Sequence, residues 1–400
     1  MRALGLTAVL GLTLAASACQ ADDDLCIVAG TMSDACGMPL SKDQCKKLSA
    51  RDTEALVESL RAMHCSETSS TREPDAQTCR LAGWPCPPAR GPEPVRKAPV
   101  NTMVFVGGID AHEAFDWNPE ILAAVAQTTG AHVVHAPLPS WESTNERTQA
   151  LFALLLARGA TNDEGGPRFN LVCYAVGGID CRALVSPNGP LAKDAKSLSI
   201  AQRSVASITT IATPHRGTRV ADAAVIALET GTDSDLVETV TGLSIHQSIA
   251  SGALLDTLRA LTLAAGAEKS ASLPDAEGIT YQSFAGVSHA SWDTSSPSDD
   301  DITRACGAAL DVQDHMQPAL WVTAPFGSAA NDDNGIAHSS PTDGMVSIDS
   351  ARWGEFRGCI PADHYHVIGQ QLRAGRDPWT GFDARRFYSW LANDLAERGL

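Results

Sequence analysis

The chain has 400 residues, 44% of them hydrophobic, and a formal net charge of −17 at pH 7. That length suffices for one large core with a small appendage, and the acidic balance argues against nucleic acid and anionic membrane surfaces as partners. Beyond roughly the first twenty residues no run is long and apolar enough to span a bilayer, so any membrane attachment has to come through the N-terminus.

Arg2, an apolar run from Ala3 to Ala16, and then Ala16-Ser17-Ala18-Cys19 read as an export signal over residues 1–18. The same residues fit a lipidation signal in which Cys19 is acylated and becomes the mature N-terminus, with Ala16 where such signals usually carry leucine. Ordinary cleavage after Ala18 is the other reading. The first gives a membrane-anchored lipoprotein, the second a secreted or periplasmic protein. Asp22-Asp23-Asp24 then reads as a solvated tether.

Eleven cysteines become ten if Cys19 is acylated, and an even number suits disulfides in an oxidising compartment. Cys26, Cys36, Cys45, Cys65, Cys79 and Cys86 crowd into a module over residues 19–95, too small to bury a sufficient core without such staples. The spacings lack the paired C-x-x-C of a zinc site. Within the module, Asp52 to His64 has the spacing of one amphipathic helix, with Leu56, Val57, Leu60 and Met63 on a shared face. Pro85 to Pro94 is a stiff, proline-rich linker, and a second domain occupies residues 96–400.

That domain opens with an apolar strand, Thr102 to Val106, running into Gly107-Gly108-Ile109. A second strand, Phe169 to Cys173, is followed by Tyr174-Ala175-Val176-Gly177-Gly178. A strand turning sharply into a helix, with small residues where the two elements cross, is the outline of the G-x-S-x-G nucleophile elbow. Ala175 stands where that pattern has its serine, and without an oxygen there no acyl-enzyme can form. Val205 to Ile211 is a further buried strand, ending in the turn Thr213-Pro214-His215-Arg216-Gly217. Helical patterns follow over Ala221 to Leu228, Leu236 to Val240 and Leu254 to Leu263, then a strand over Ile279 to Gly286 and a polar insertion over Ser291 to Asp301. Cys173 and Cys181 flank the elbow, while Cys306 and Cys359 are left to each other.

These motifs, with Thr342-Asp343-Gly344-Met345-Val346 and Asp363-His364-Tyr365-His366-Val367-Ile368-Gly369-Gln370, resemble in order the bacterial triacylglycerol lipases of the Pseudomonas and Burkholderia type. The resemblance covers roughly residues 100 to 395 and implies an α/β-hydrolase fold with a predominantly parallel sheet and a helical lid region. It places the missing nucleophile at Ala175, the acid at Asp343 and the histidine at His364, in the chain order this fold uses. It places the oxyanion-hole amides at Ile109 and Val176. The family's structural calcium site would take an aspartate two residues after the histidine, and that position is His366, an unsuitable ligand for calcium; Asp311 or Asp314 matches the other aspartate. No other cofactor is implied.

The family usually reads V-H-G-L after the first strand and G-H-S-x-G at the elbow, so Gly107, Cys173 and Tyr174 depart from it as well as Ala175. Several departures in one pocket point to a natural protein that has left hydrolysis behind. The expected function is therefore a lipase-like protein that binds a lipid or ester ligand without turnover. An active carboxylic ester hydrolase is the alternative, and a cell-surface interaction protein using the Cys-rich module is a third. Turnover of a short ester separates the second from the others.

Overall fold

The computed structural model of the protein describes residues 97–109, 115–231, 252–288, 299–307, 316–331, 337–370 and 382–400, together with isolated positions between 26 and 57. The chain forms two compact units, one of Met1–Glu93 with Leu372–Gly381 and one of Pro94–Gln371 with Phe382–Leu400. In the first, Cys26 is bonded to Cys45, and the described positions from Arg51 to Val57 are helical. Leu60 and Met63 lie outside the described residues, as do Cys19, Cys36, Cys65, Cys79 and Cys86.

The strands of the second unit are β1 (Thr102–Val106), β2 (Val133–Ala136), β3 (Phe169–Tyr174), β4 (Val205–Ile211), β5 (Thr280–Gly286), β6 (Ala329–Asn331), β7 (Ala337–Ser339) and β8 (Glu355–Ile360). Six of them make one sheet in the order β2-β1-β3-β4-β5-β8, with every neighbouring pair parallel, and β6 and β7 form a separate antiparallel ribbon. The central strands β3 and β4 are buried on both faces, so they read in sequence as runs rich in apolar residues, with Asn170, Ser207, Thr209 and Thr210 as buried polar exceptions. The edges read differently. β2 alternates between buried and half-buried positions, and β8 carries Glu355 and Arg357.

The helices of eight or more residues are α1 (Pro119–Thr129), α2 (Thr144–Ala157), α3 (Val176–Val185), α4 (Ala195–Ser204), α5 (Arg219–Thr230), α6 (Gly252–Ala260), α7 (Leu263–Ser272), α8 (Asp299–Cys306) and α9 (Ala384–Glu397). Side chains alternate across the sheet and feed two apolar clusters. Met103, Phe105, Val172 and Tyr174 join one, with α1, α5, α6 and α9. Val104, Val106, Leu171 and Cys173 join the other, with α2, α3 and α4. The result is a parallel sheet covered on both sides, the layering that fully buried parallel strands require. Among the described residues no helix is long and apolar enough to cross a membrane.

Two sequence expectations need correction. The stretch Leu254 to Leu263 is two helices, because Thr262 ends one and caps the next by accepting a hydrogen bond from the Ala265 amide. Asp299 to Asp301, read as part of a polar insertion, forms the first turn of α8, where carboxylates are favoured by the helix dipole. Leu236 to Val240 and residues 291–298 lie outside the described residues. The bond Cys306–Cys359 joins the end of α8 to edge strand β8, and Cys173–Cys181 joins the end of β3 to α3.

His215 shows how tightly the turn after β4 is bound. Arg182 Nη1 lies 3.2 Å from its Nδ1 and can only donate, so Nδ1 is the acceptor and Nε2 donates to Thr210 Oγ1 at 3.0 Å. Burial first, then the neighbouring Arg182 and Arg216, holds this imidazole well below its usual pKa. The folded protein therefore keeps His215 neutral where the unfolded chain protonates, and its stabilising contribution, present above pH ~6.5, is lost as pH falls. In denaturant titrations between pH 6.5 and 5, the native chain should lose stability faster than a His215→Gln variant, by an excess that rises toward, and never exceeds, about 1.4 kcal/mol per pH unit. Parallel stability profiles for the two proteins would show that His215 carries no such linkage.

Candidate functional site

The C-terminal ends of the parallel strands lie side by side, with Val106 opposite Cys173, Cys173 opposite Thr210 and Ile211 opposite Phe284. The loops that leave β1, β3, β4 and β8 therefore emerge along one edge, where open α/β sheets bind ligands. At the centre stands Ala175, between the last residue of β3 and the first of α3, with φ 48° and ψ −126°. An L-residue adopts this conformation at a cost of about 1–3 kcal/mol. Its backbone is held from both sides. The Ala175 amide donates to Ile211 O at 2.9 Å, and its carbonyl accepts from the Gly178 amide at 3.0 Å.

The glycine pair that follows is a steric necessity. A Cβ on Gly177 would lie 2.3 Å from the carbonyl oxygen of Gly107, and one on Gly178 would lie 2.1 Å from Thr213 Oγ1. The start of α3 is thus wedged between the loop after β1 and the turn after β4. Cys173, two residues before Ala175, points to the opposite face of the sheet and is consumed in its bond to Cys181. It is no substitute nucleophile.

Asp343 and His364 come together from two loops. Nδ1 of His364 lies 2.7 Å from Asp343 Oδ2, and the His364 amide donates to the Asp343 carbonyl at 2.9 Å. The other carboxylate oxygen accepts from the amides of Met345 at 2.9 Å and Val346 at 2.7 Å. Asp343 is 0% and His364 3% exposed. A carboxylate on Nδ1 fixes the tautomer with its hydrogen there and leaves a lone pair on Nε2. That nitrogen has no hydrogen-bond partner among the described residues. Tyr174, one of the departures from the family pattern, braces the histidine: its hydroxyl donates to the His364 carbonyl at 2.8 Å, and the two rings lie 5.1 Å apart.

The loop after β1 is oriented by a residue that the motifs did not single out. Arg147 of α2 is completely buried, with Nε 2.8 Å from Asp180 Oδ2 and with Nη1 donating to Pro139 O at 2.7 Å and Ile109 O at 3.5 Å. Its Nη2 donates to Gly108 O at 2.5 Å. In a trans peptide the carbonyl and the next amide point in opposite directions. Drawing the Gly108 carbonyl toward Arg147 therefore turns the Ile109 N–H away from it. Val176, as the first residue of α3, supplies an amide with no acceptor in its own helix. At position 107 an added Cβ would sit 2.7 Å from Asp116 Oδ1, which is itself 2.8 Å from His135 Nε2, so a side chain there would have to displace that carboxylate.

Trp141 was likewise missed. It has φ 57°, its amide donates to Ile109 O at 3.1 Å, its carbonyl accepts from Thr257 Oγ1 at 3.0 Å, and its buried indole N–H has no partner. A signal for Arg147 was present: it shares the α2 stripe of Leu151 and Leu155, a charge on an otherwise apolar face.

The surroundings of His366 do not suit calcium. Its Nε2 is 2.8 Å from the Gln317 side-chain amide, and its Nδ1 lies 3.2 Å from Asp363 Oδ2. Burial lowers this imidazole to about 3 and raises Asp363 to about 7, against three backbone amides that hydrogen-bond to its carboxylate. Calcium binds hard oxygens, and the His366 imidazole supplies a nitrogen where the resemblance expects an aspartate oxygen. Asp311 and Asp314 lie outside the described residues.

No family model matches the chain. Triacylglycerol lipase 2 of Saccharomyces cerevisiae is 26% identical over 286 residues, covering 68% of this chain and 71% of the yeast protein. Among solved structures, EstA from Clostridium botulinum superposes with a TM-score of 0.52 at 15% identity, covering 86% of this chain and 97% of its own. Lipase 1 from Pelosinus fermentans gives a TM-score of 0.50 at 16% identity over 75% of this chain and 99% of its own.

Two measurements test this description of the site. Arg147→Met should destabilise the protein by about 3–5 kcal/mol by stranding the Asp180 carboxylate, and Asp180→Leu in the same chain should restore most of the loss. Chemical denaturation of the single and double variants checks this, and additive losses would refute the pairing. Millimolar calcium should leave the melting temperature unchanged by differential scanning fluorimetry; a rise reversed by chelation would mean that other oxygens bind it. From its sheet, its elbow and its structural neighbours, the chain has the α/β-hydrolase fold of the lipases.

Proposed function

We propose that this protein is a lipase-like α/β-hydrolase that binds an acyl ligand and forms no acyl-enzyme. The observation that carries the reading is Ala175, held at the strained tip of the elbow beside a complete Asp343–His364 pair. The donors expected to bind a carbonyl oxygen, the amides of Ile109 and Val176, do not depend on a serine, so a carbonyl group can still be held. The yeast relative is named a triacylglycerol lipase, which supports a fatty-acyl ligand. The order of the motifs supports a closer kinship with the Pseudomonas and Burkholderia enzymes.

A second reading is favoured by the unpartnered Nε2 of His364, which can take a proton from water and allow weak, single-step ester hydrolysis. Under the first reading the native chain hydrolyses p-nitrophenyl butyrate no faster than its His364→Ala variant. A rate that disappears with His364 would establish the second. Fluorophosphonates should leave the native elbow unlabelled and should label Ala175→Ser, whose new hydroxyl would face the retained imidazole. An unlabelled Ala175→Ser protein would show that the pocket is disabled beyond the missing oxygen.

Export belongs to the same proposal and is supported by Cys26–Cys45, Cys173–Cys181 and Cys306–Cys359, which suit an oxidising compartment. Anchoring is proposed through an acylated Cys19. Intact mass spectrometry of the protein from a bacterial host should show the added lipid, and a mature chain with a free Cys19 thiol would exclude it.

A further inference from the structure

We propose that the site formed by the Ile109 and Val176 amides and His364 is a receptor for free long-chain carboxylic acids, which it takes in preference to their esters. The proposal rests on the acyl-ligand reading above and adds the chemical form of the acyl group.

The starting point is the Nε2 lone pair of His364. In a serine hydrolase the hydroxyl at the elbow donates to this nitrogen; at Ala175 there is no hydroxyl. The imidazole is 3% exposed and its Nδ1 is committed to Asp343, so Nε2 is an acceptor with no protein partner among the described residues, open to whatever binds at the elbow. A ligand that donates to it gains a hydrogen bond in a largely desolvated site. An occupant that also fills the oxyanion position must present two oxygens on one carbon. One accepts from the two amides, and the other stands where the serine oxygen would be and shares a proton with Nε2.

A carboxylic acid meets both demands. Its proton lies between its own oxygen and Nε2, and in the imidazolium–carboxylate form the positive ring is stabilised by Asp343 2.7 Å away. The first turn of α3 adds the positive end of a helix dipole beside the carboxylate. An ester carries an alkyl group on its second oxygen and has no proton to share, so it satisfies the amides and leaves Nε2 unmet. A long-chain alcohol does the reverse. The apolar cluster that contains Ala175 also contains Ile109, Trp141, Leu254 and Leu258, a fitting environment for a hydrocarbon chain.

Isothermal titration of the full chain with oleate, methyl oleate and oleyl alcohol, each below its aggregation concentration, tests this. Oleate should bind about tenfold or more tighter than methyl oleate, the worth of one charge-assisted hydrogen bond. His364→Gln should abolish that preference, bringing the oleate and methyl oleate affinities to within about twofold of each other. Ala175→Ser should also abolish it, because its hydroxyl takes the place of the ligand's second oxygen and satisfies Nε2 from the protein side. Equal affinity of the native chain for oleate and methyl oleate overturns the carboxylic-acid proposal and leaves the acyl reading standing. So does an oleate preference that survives in both variants. Failure of all three ligands to bind overturns both readings.

Discussion

The close approach of α3 to its two neighbouring loops is the constraint from which the rest of the site follows. With Gly107 O and Thr213 Oγ1 both pressed against the first turn of the helix, no side chain fits at 177 or 178, and the chain must turn through a positive φ at 175 to enter the helix at all. That turn fixes where the Val176 amide points and which side of the sheet Tyr174 occupies. Tyr174 in turn holds the carbonyl of His364. A backbone strain of a few kcal/mol is sustained because it is over-determined by packing on both sides and by the bond between Cys173 and Cys181.

Electrostatics then supplies what packing cannot. The site is flanked by two fully buried carboxylates, each neutralised in a different way. Asp343 uses two backbone amides and an imidazole, while Asp180 uses the guanidinium of Arg147. The second pair reaches the site through the carbonyls of Gly108 and Ile109, so a charge on α2 sets the direction of an amide on the loop after β1. Removing either partner would expose the other as an unpaired buried ion, and the loop would lose its reference.

The legibility of this architecture in the sequence tracks how local each signal is. β3 and β4 are recognisable because strands buried on both faces are rich in apolar and β-branched residues. The elbow is recognisable because its sterics demand small residues at fixed offsets. The edge strands β2 and β8 were not recognised, since half-exposed strands carry residues such as His135, Glu355 and Arg357 that mimic loop composition. Arg147 and Trp141 escaped for a different reason: each acts through contacts with residues distant in sequence, and neither forms a motif. Gly107 could be read only as a departure from a pattern; its physical reason, the Asp116 carboxylate filling the adjacent space, is purely tertiary.

The place of Ala175 in this scheme separates folding from chemistry. The hydrogen bonds that hold residue 175 are made by its own amide and carbonyl, to Ile211 and from Gly178, and none needs a side-chain oxygen. The turn is therefore indifferent to whether a hydroxyl is present, since its hydrogen bonds are all made by the backbone. The Asp343–His364 pair is not indifferent. Its geometry is set by the loops that carry it, and with alanine at 175 the elbow offers no hydroxyl to the nitrogen that faces away from Asp343. With no side-chain oxygen at 175, whatever selectivity such a site has toward acyl ligands has to come from what the ligand itself brings to the nitrogen of His364 that faces away from Asp343.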